Sequence, residues 1–245
     1  MMQQTDWFES WFGSPYYQIL YQNRDHMEAQ EFVENLIAHL NPPGGSRMVD
    51  IACGEGRFAV QLAEHGYNVI GVDLSHHSIE KAKAFENDHL QFYVQDMRMP
   101  FYINYFDYAF NFFTSFGYFA HNRDHLLAAK SFAAGLKKGG TLVIDYLNKG
   151  YVLDRLKPAE TVNRGSYQFD LRKRLENNHI IKDIYFTDAD NVPKHFSESV
   201  AAFSLEDFVR MFETAGMTLE QTFGDYKLNA YDAKESPRMI MIFKK

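Results

Sequence analysis

The spacing of apolar residues changes along the chain, and each spacing predicts one kind of element. From about Arg24 to Leu40, apolar residues recur every three or four positions, which predicts an amphipathic helix. The run Asn41-Pro42-Pro43-Gly44-Gly45 ends this helix, because proline cannot continue one. From there to Asn148, short apolar runs alternate with helical spacing. The alternation predicts a parallel sheet with helices on both faces.

Five strands and three helices are predicted in this alternating region. The strands are expected at residues 47–52, 67–73, 90–95, 106–113 and 141–147, and the helices at 58–64, 76–85 and 125–136. Ser75 is the predicted N-cap of the middle helix, since its hydroxyl can accept a backbone N–H. Gly66 closes the helix before it, as glycine commonly does at a C-terminus.

After Asn148 apolar and polar residues alternate, which predicts antiparallel strands. Strands at 167–171 and 180–186 flank a predicted hairpin turn at Asn177-Asn178, because asparagine tolerates the left-handed region. A third strand is predicted at 195–203. We therefore expect an antiparallel insertion that lies over the sheet.

The C-terminal part returns to the earlier pattern. Ser204 to Asp207 resembles a capping box that opens a helix ending at Gly216, and two strands follow at 217–223 and 238–243. The prediction is one α/β domain. Its parts are an N-terminal helical cap (1–45), an alternating core (46–148), the antiparallel insertion (149–202) and a C-terminal helix with a strand pair (203–245).

Composition and charge narrow the function classes. The 245 residues are 46% hydrophobic and 23% charged, which is typical of a globular protein. The net charge of −7 and the lack of a long basic run disfavour nucleic acid as a partner. The single cysteine, Cys53, forms no intrachain disulfide, and neither a signal peptide nor a membrane span is predicted. We expect a cytoplasmic protein, either monomer or homodimer, with no metal site.

The most informative segment runs from Val49 to Phe58, where a strand turns into a helix. Gly54 and Gly56 lack the Cβ atoms that would keep a ligand away from the backbone, although a tight structural turn alone would also use them. The sequence from Gly54 to Ala59 also satisfies a loose form of the glycine-rich fingerprint of dinucleotide-binding proteins. Asp50 argues against that interpretation, because a carboxylate repels a pyrophosphate and suits a cationic ligand.

Two further acids follow the next two strands. Asp73 ends the second strand, where a carboxylate can accept hydrogen bonds from both ribose hydroxyls, or can simply cap the next helix. Asp96 follows the third strand, where it can accept from an adenine amino group while Met97 packs on the ring. Because the carboxyl ends of parallel strands meet at one edge, we expect the three acids to converge on a nucleoside site.

This region resembles the core of class I S-adenosylmethionine-dependent methyltransferases. Asp50 to Gly56 matches the family motif acid-x-Gly-x-Gly-x-Gly, with Ala52 in place of the first glycine. The resemblance implies a Rossmann-like, seven-stranded, mostly parallel sheet and S-adenosyl-L-methionine as the cofactor. It implies that Asp73 binds the ribose, that Asp96-Met97 binds the adenine and that Asn111 to Phe113 runs beside the methionine part. The segment Ser115-Phe116-Gly117-Tyr118-Phe119 resembles small-molecule methyltransferases, including sugar amine N-methyltransferases.

The predicted cofactor-binding residues follow from this motif and from the acids. They are Tyr17, Asp50, Ala52, Cys53, Gly54, Gly56, Asp73, Leu74, Asp96, Met97, Asn111 and Phe113. Tyr17 enters because the aromatic N-terminal run is expected to close over the cofactor, although packing on the sheet edge would use the same residues. The insertion is expected to form a wall on the acceptor side.

No catalytic residue is mandatory, because the sulfonium donor is already activated and positioning supplies much of the rate. Candidates are Tyr118, His121 and Tyr146, with a surface histidine or simple packing as the alternatives. The predicted function is methyl transfer to nitrogen or oxygen of a small molecule. An NAD-dependent oxidoreductase and a non-catalytic cofactor-binding protein remain the alternatives.

Overall fold

A seven-stranded sheet lies at the centre of the computed structural model, which describes residues 7–21 and 26–245. Its strand order is β10-β11-β5-β4-β1-β2-β3, in which β11 is antiparallel to both of its neighbours. The eleven strands are Arg47–Ile51, Asn68–Asp73, Leu90–Val94, Phe106–Asn111, Leu136–Leu147, Ala159–Arg164, Tyr167–Glu176, His179–Thr187, Pro193–Ala201, Thr218–Phe223 and Arg238–Lys244, numbered β1 to β11. The predicted Rossmann-like α/β class is confirmed.

Helices cover both faces of this sheet. In chain order, α1 to α8 are Trp7–Phe12, Pro15–Leu20, His26–Leu40, Arg57–Glu64, His76–Ala82, Asn122–Gly135, Lys149–Asp154 and Leu205–Thr214. One apolar cluster joins the sheet to α3, α4 and α5, with Phe32, Phe58 and Ile79 buried. The other joins it to α6 and α8, with Phe132 and Phe208 buried. Burial of this apolar area is the main stabilising term for the core.

Local capping signals set several element ends. The Ser75 side chain accepts from the Ser78 N–H as predicted, and Ser204 with Asp207 forms the complete capping box. Asn177 and Asn178 have φ of 48° and 58° and form the predicted two-residue hairpin turn. These matches arise because caps and turns depend on residues close together in sequence.

Some bounds differ from the sequence prediction. β5 begins at Leu136 rather than at residue 141, because the chain pairs with β4 directly after α6, through Phe106 and Leu136. The register then shifts before Tyr108, and Gly139 takes a φ of 77°. Within the predicted helical cap, α1 and α2 were not predicted as separate helices, and α7 and β6 were not predicted at all. The first predicted helix extends to Arg24, which lies outside the described residues.

The antiparallel insertion forms a separate four-stranded sheet of order β6-β7-β8-β9. Its buried side chains, such as Phe169 and Ile184, pack against Trp11 of α1 and Leu20 of α2. Helices α1 and α2 therefore lie between the insertion and the central sheet. Of the helices in the described ranges, none has the length and apolarity needed to cross a membrane.

Candidate active site

A cavity of about 560 Å³ opens at the carboxyl ends of β1 to β4. The strand order reverses between β1 and β4, and open α/β sheets bind ligands at such a point. The glycine-rich turn, Asp73 and Met97 line one side, which we call the floor (residues 52–58, 73–74 and 96–97). Helices α1 and α2 with the insertion sheet form the opposite side, which we call the roof.

The glycine-rich turn of the floor is built from left-handed residues. Ala52, Gly54 and Gly56 have φ of 61°, 58° and 87°. Gly56 is the N-cap of α4, and a Cβ there would lie 2.6 Å from the Phe92 ring. A Cβ on Gly54 would meet nothing within 4 Å, so its backbone is open to the cavity. Ala52 replaces the motif's first glycine at the modest cost of a left-handed alanine.

Asp73 ties this turn to β2. Its carboxylate accepts N–H groups from Gly54 and Ser75, both at 2.8 Å. Burial raises the pKa of Asp73, and these backbone hydrogen bonds oppose the rise. Asp73 also lines the cavity, so its remaining lone pairs can accept from the hydroxyls of a ribose. The helix N-cap next to it is Ser75, which disfavours the capping alternative for Asp73.

Asp50 and Asn111 lie behind the turn and do not line the cavity. Asp50 is 1% exposed and Asn111 is 0% exposed. The Asn111 amide donates to the Ile51 carbonyl at 2.9 Å, and Asp50 Oδ2 has no hydrogen-bond partner within the described ranges. Burial, and then the charge of Asp73, raises the pKa of Asp50 well above its usual value. The structure thus does not support direct ligand contact by either side chain.

The residues predicted to bind adenine lie together at one end of the floor. Asp96, Met97 and Leu74 line the cavity. Arg98 holds the Asp96 carboxylate with a forked contact, of which the shortest distance is 2.6 Å. Burial alone would raise the pKa of Asp96, but the hydrogen bonds and charge of Arg98 outweigh burial and lower it. Asp96 is therefore ionised at neutral pH and can accept a hydrogen bond from an amino group.

Of the three catalytic candidates, Tyr118 lines the cavity, and its hydroxyl donates to the Thr114 carbonyl. Tyr146 is 0% exposed, does not line the cavity, and donates to the Ala201 carbonyl. His121 is an exposed residue that precedes α6. The structure therefore brings one of the three to the cavity, because β5 carries Tyr146 into the core and His121 lies at the exposed start of α6.

Glu198 of β9 was not among the predicted site residues. It is a carboxylate of the roof that lines the cavity and is 9% exposed. It accepts from Trp11 Nε1 at 2.7 Å, from the Tyr21 hydroxyl at 2.7 Å and from Lys182 Nζ at 2.6 Å. Burial would raise the pKa of Glu198, but these donors outweigh it and lower the pKa. One feature of the sequence could have revealed it. Alternate residues of a strand point to the same face, so Glu198 shares a face with the apolar residues Phe196 and Val200.

The remaining wall residues complete the picture. Cys53 is a buried thiol of the floor, and burial raises its pKa well above the usual value, so it is a poor nucleophile at neutral pH. Tyr17 and Phe113 also line the cavity. In the part of the chain that the structure describes, no group of three or more His, Cys, Asp or Glu side chains could hold a metal ion.

Comparison with known proteins decides the family. Residues 21–222 match the family model of a methyltransferase domain. The chain belongs to this methyltransferase family. It is 28% identical over 169 residues to a putative methyltransferase of Geobacillus sp. (strain WCH70), covering 66% of this chain and 56% of that protein. The chain thus spans little more than half the length of this curated relative.

Solved structures share the fold of this methyltransferase. An S-adenosylmethionine-dependent methyltransferase from Clostridium acetobutylicum superposes with a TM-score of 0.76 at 18% identity, over 94% of this chain and 95% of that one. An S-adenosylmethionine-bound aminopentose methyltransferase from Micromonospora echinaspora gives 0.68 at 19% identity, over 94% and 97%. Membership of the methyltransferase family supports S-adenosyl-L-methionine as the cofactor of this chain.

The residues of this methyltransferase fit that cofactor. The backbone at Gly54 leaves the space that a Cβ would fill, and Asp73 presents a carboxylate beside it. The cavity wall carries four acidic side chains, Glu55, Asp73, Asp96 and Glu198, against one basic side chain, Arg57. Three of these acids are paired with cations: Glu55 with Lys81, Asp96 with Arg98 and Glu198 with Lys182. The preference for a cationic ligand over a pyrophosphate therefore depends on Asp73, which lines the cavity, and not on Asp50.

Proposed function

We propose that this methyltransferase transfers a methyl group to a nitrogen or oxygen atom of a small molecule. The observation that carries the proposal is the shape of the site: one cavity of about 560 Å³ runs between a nucleoside-type floor and an aromatic roof. That volume lies in the usual range for small-molecule sites. The roof side is lined by Phe12, Tyr17 and Tyr21, which offer flat apolar surface to an organic acceptor.

The residues of the floor would hold the cofactor. Asp73 would accept from the ribose hydroxyls, Asp96 and Met97 would contact the adenine, and the open backbone of the turn from Ala52 to Gly56 would lie beside the methionine part. When bound, S-adenosyl-L-methionine supplies an activated methyl group: a nucleophile that attacks the methyl carbon in line breaks its bond to the sulfonium, and the sulfur leaves as the neutral thioether of S-adenosylhomocysteine. The chain then has to align the acceptor with that methyl group and keep water away.

The roof would close the site. Trp11 of α1 and Tyr21, directly after α2, both donate to Glu198 of the insertion, so these hydrogen bonds join the N-terminal helices to the insertion. Gln18 of α2 also donates to Glu55 of the glycine-rich turn. We therefore place Tyr17 over the methionine end. Deletion of residues 1–20 should weaken cofactor binding; unchanged affinity in a folded truncated protein would rule out closure by these helices.

Proton transfer needs no dedicated residue when the acceptor is a neutral amine. A hydroxyl acceptor benefits from a base. Tyr118 is the candidate that reaches the cavity, and its hydroxyl already donates to Thr114. We assign it a role in aligning the acceptor.

The proposal is tested with methyl-labelled S-adenosyl-L-methionine and a panel of small amines, phenols and sugars, with total RNA and protein as competing acceptors. Label transfer and S-adenosylhomocysteine release are both measured. We expect transfer to a small amine or hydroxyl compound by the wild type and loss of transfer in Asp73→Ala. Label in RNA or protein alone would refute the small-molecule assignment. Cofactor binding with no transfer would favour the non-catalytic alternative.

A further inference from the structure

The chain makes a strained bend where β4 ends. Phe113 and Thr114 are consecutive non-glycine residues with φ of 59° and 60°. The left-handed region is unfavourable for L-residues and most so for a β-branched residue such as threonine. Such conformations persist only where the surroundings determine them, and they cluster at functional sites. The bend must therefore be held by the contacts around it, and it is a candidate functional feature.

An almost completely buried ion pair holds the bend. Asp145 of β5 is 0% exposed, and Arg238 of β11 donates to its Oδ1 from Nε at 2.7 Å. The other oxygen, Oδ2, accepts the Phe113 N–H at 2.9 Å and the Tyr226 hydroxyl at 3.0 Å. The same carboxylate thus joins the guanidinium directly to the backbone of the first strained residue.

Thr114 is fixed at three of its polar atoms. Its N–H donates to the Asp145 carbonyl at 2.8 Å, and its hydroxyl accepts from Arg238 Nη2 at 3.0 Å. Its carbonyl accepts from the Tyr118 hydroxyl. The planar guanidinium of Arg238 contacts the carboxylate and the threonine hydroxyl at once, which a lysine ammonium cannot reproduce in the same geometry.

The bend lies at the β4 end of the cavity. Phe113, Ser115 and Tyr118 line the cavity, and Asp145 does not. In the sheet, β4 and β3 lie on opposite sides of the β1-β2 pair. If the ribose lies at Asp73 and the adenine at Asp96, the amino-acid end of the cofactor and the methyl group point towards the bend.

We propose that Asp145 and Arg238 are positioning residues, which hold Phe113 and Thr114 in the left-handed conformation and so shape the methyl-transfer end of the cavity. The proposal rests on the proposed function for the identity of the ligand. It assigns the pair a task at the site, although neither side chain touches the reacting atoms.

The test compares two probes, S-adenosylhomocysteine and 5′-methylthioadenosine, which share the adenosine half but differ in the amino-acid end. Arg238→Lys keeps the charge and loses the fork. We expect its dissociation constant for S-adenosylhomocysteine to rise on the order of tenfold, the effect of one lost charge-assisted hydrogen-bond arrangement. The dissociation constant for methylthioadenosine should stay within about twofold of the wild type, since that ligand lacks the amino and carboxylate groups that would extend towards the bend.

A second variant and a control make the test specific. Thr114→Asn in the Arg238→Lys background should recover part of the lost affinity, because asparagine tolerates the left-handed region. Asp107→Asn breaks a carboxylate–lysine pair with Lys137, 2.6 Å apart, at the start of β4 and away from the cavity, and should change neither affinity. Circular dichroism confirms folding of each variant.

Equal effects of Arg238→Lys on both probes, or no effect on either, would overturn the positioning role. Failure of Thr114→Asn to recover any affinity would also count against it, because the strain would then not be what the pair offsets. If the wild type bound neither probe, the proposed function would be at fault instead, so the two failures are distinguishable.

Discussion

The floor and the roof of the cavity are built on different physical principles. The floor is a backbone device: left-handed conformations at Ala52, Gly54 and Gly56 shape the turn, and one carboxylate, Asp73, accepts the Gly54 N–H and ties the turn to the neighbouring strand. The roof is a side-chain device, in which Trp11, Tyr21 and Lys182 converge on Glu198 from three different elements. The first depends on residues close in sequence, and the second on contacts between distant segments.

The largest effect is expected from an added methyl group in the floor. Gly56→Ala combines a φ of 87° with a Cβ 2.6 Å from the buried Phe92 ring. We expect a loss of about 3 kcal/mol or more in the free energy of unfolding, measured by urea denaturation. Gly54→Ala is the matched control: its Cβ meets nothing within 4 Å, so it should cost about 1 kcal/mol and mainly weaken cofactor binding. Equal destabilisation by both would contradict this division.

The pH dependence of the unfolding free energy should report on one buried histidine, His125. His125 is 1% exposed and packs against Phe116, Phe119 and Phe203. Burial lowers its pKa from 6.5 to about 4, and within the described residues neither ring nitrogen has a hydrogen-bond partner. The folded state therefore keeps the ring neutral while the unfolded chain takes up a proton below pH 6.5. Stability from this group is complete above pH 6.5 and is lost as the pH falls towards 4.

The lost stability should approach about 3 kcal/mol at pH 4, since each pKa unit corresponds to about 1.4 kcal/mol. His125→Phe should lack this component, so the difference in unfolding free energy between variant and wild type should change sharply between pH 7 and pH 4. Carboxylates elsewhere act equally on both proteins and cancel in the difference. A difference that stays constant with pH would show that His125 is not held neutral.

The roof should respond to Glu198→Gln with a smaller loss, about 2 kcal/mol, because glutamine keeps the shape but leaves Lys182 without its carboxylate. The chain has two tryptophans, Trp7 and Trp11, and both lie in α1. Tryptophan fluorescence therefore reports on this helix, and its emission should shift to the red as Trp11 becomes exposed to solvent.

Glu160→Gln provides the control in the same insertion sheet. Its partner is Lys173, and both side chains are more than a quarter exposed, at 29% and 26%. Exposed pairs contribute about 1 kcal/mol or less, so stability and fluorescence should hardly change. A Glu198 variant that behaved like this control would show that Glu198 does not hold the roof together.

The sequence predicted the floor well because its signals are local. The glycine spacing, the acids that end successive strands and the Ser75 cap all act within a few residues, and the structure brings Gly54, Asp73, Asp96 and Met97 to one wall. No local pattern in the sequence predicted the close packing of Phe92 against Gly56 and Gly71. It depends on which strand pairs with which, and that is a property of the whole sheet.

The roof and the buried residues were harder to predict for the same reason. Tyr146 and Asn111 lie on strands of the central sheet and are completely buried. Only the final packing decides which residues at the end of a strand face a cavity. Glu198 looks like any solvated acid of an antiparallel strand until α1 and α2 cover it. Its partners Trp11 and Lys182 are separated from it by 187 and 16 positions, respectively, so spacing along the chain could not reveal the group.

The central claim is that the floor binds S-adenosyl-L-methionine and depends on Asp73. The most direct test is calorimetric titration of wild type and Asp73→Ala with S-adenosyl-L-methionine, S-adenosylhomocysteine and NAD. We predict saturable binding of both adenosyl ligands by the wild type, at least about tenfold weaker binding by the variant, and no binding of NAD. Binding of NAD with no response to either adenosyl ligand would contradict the account and would favour a dehydrogenase.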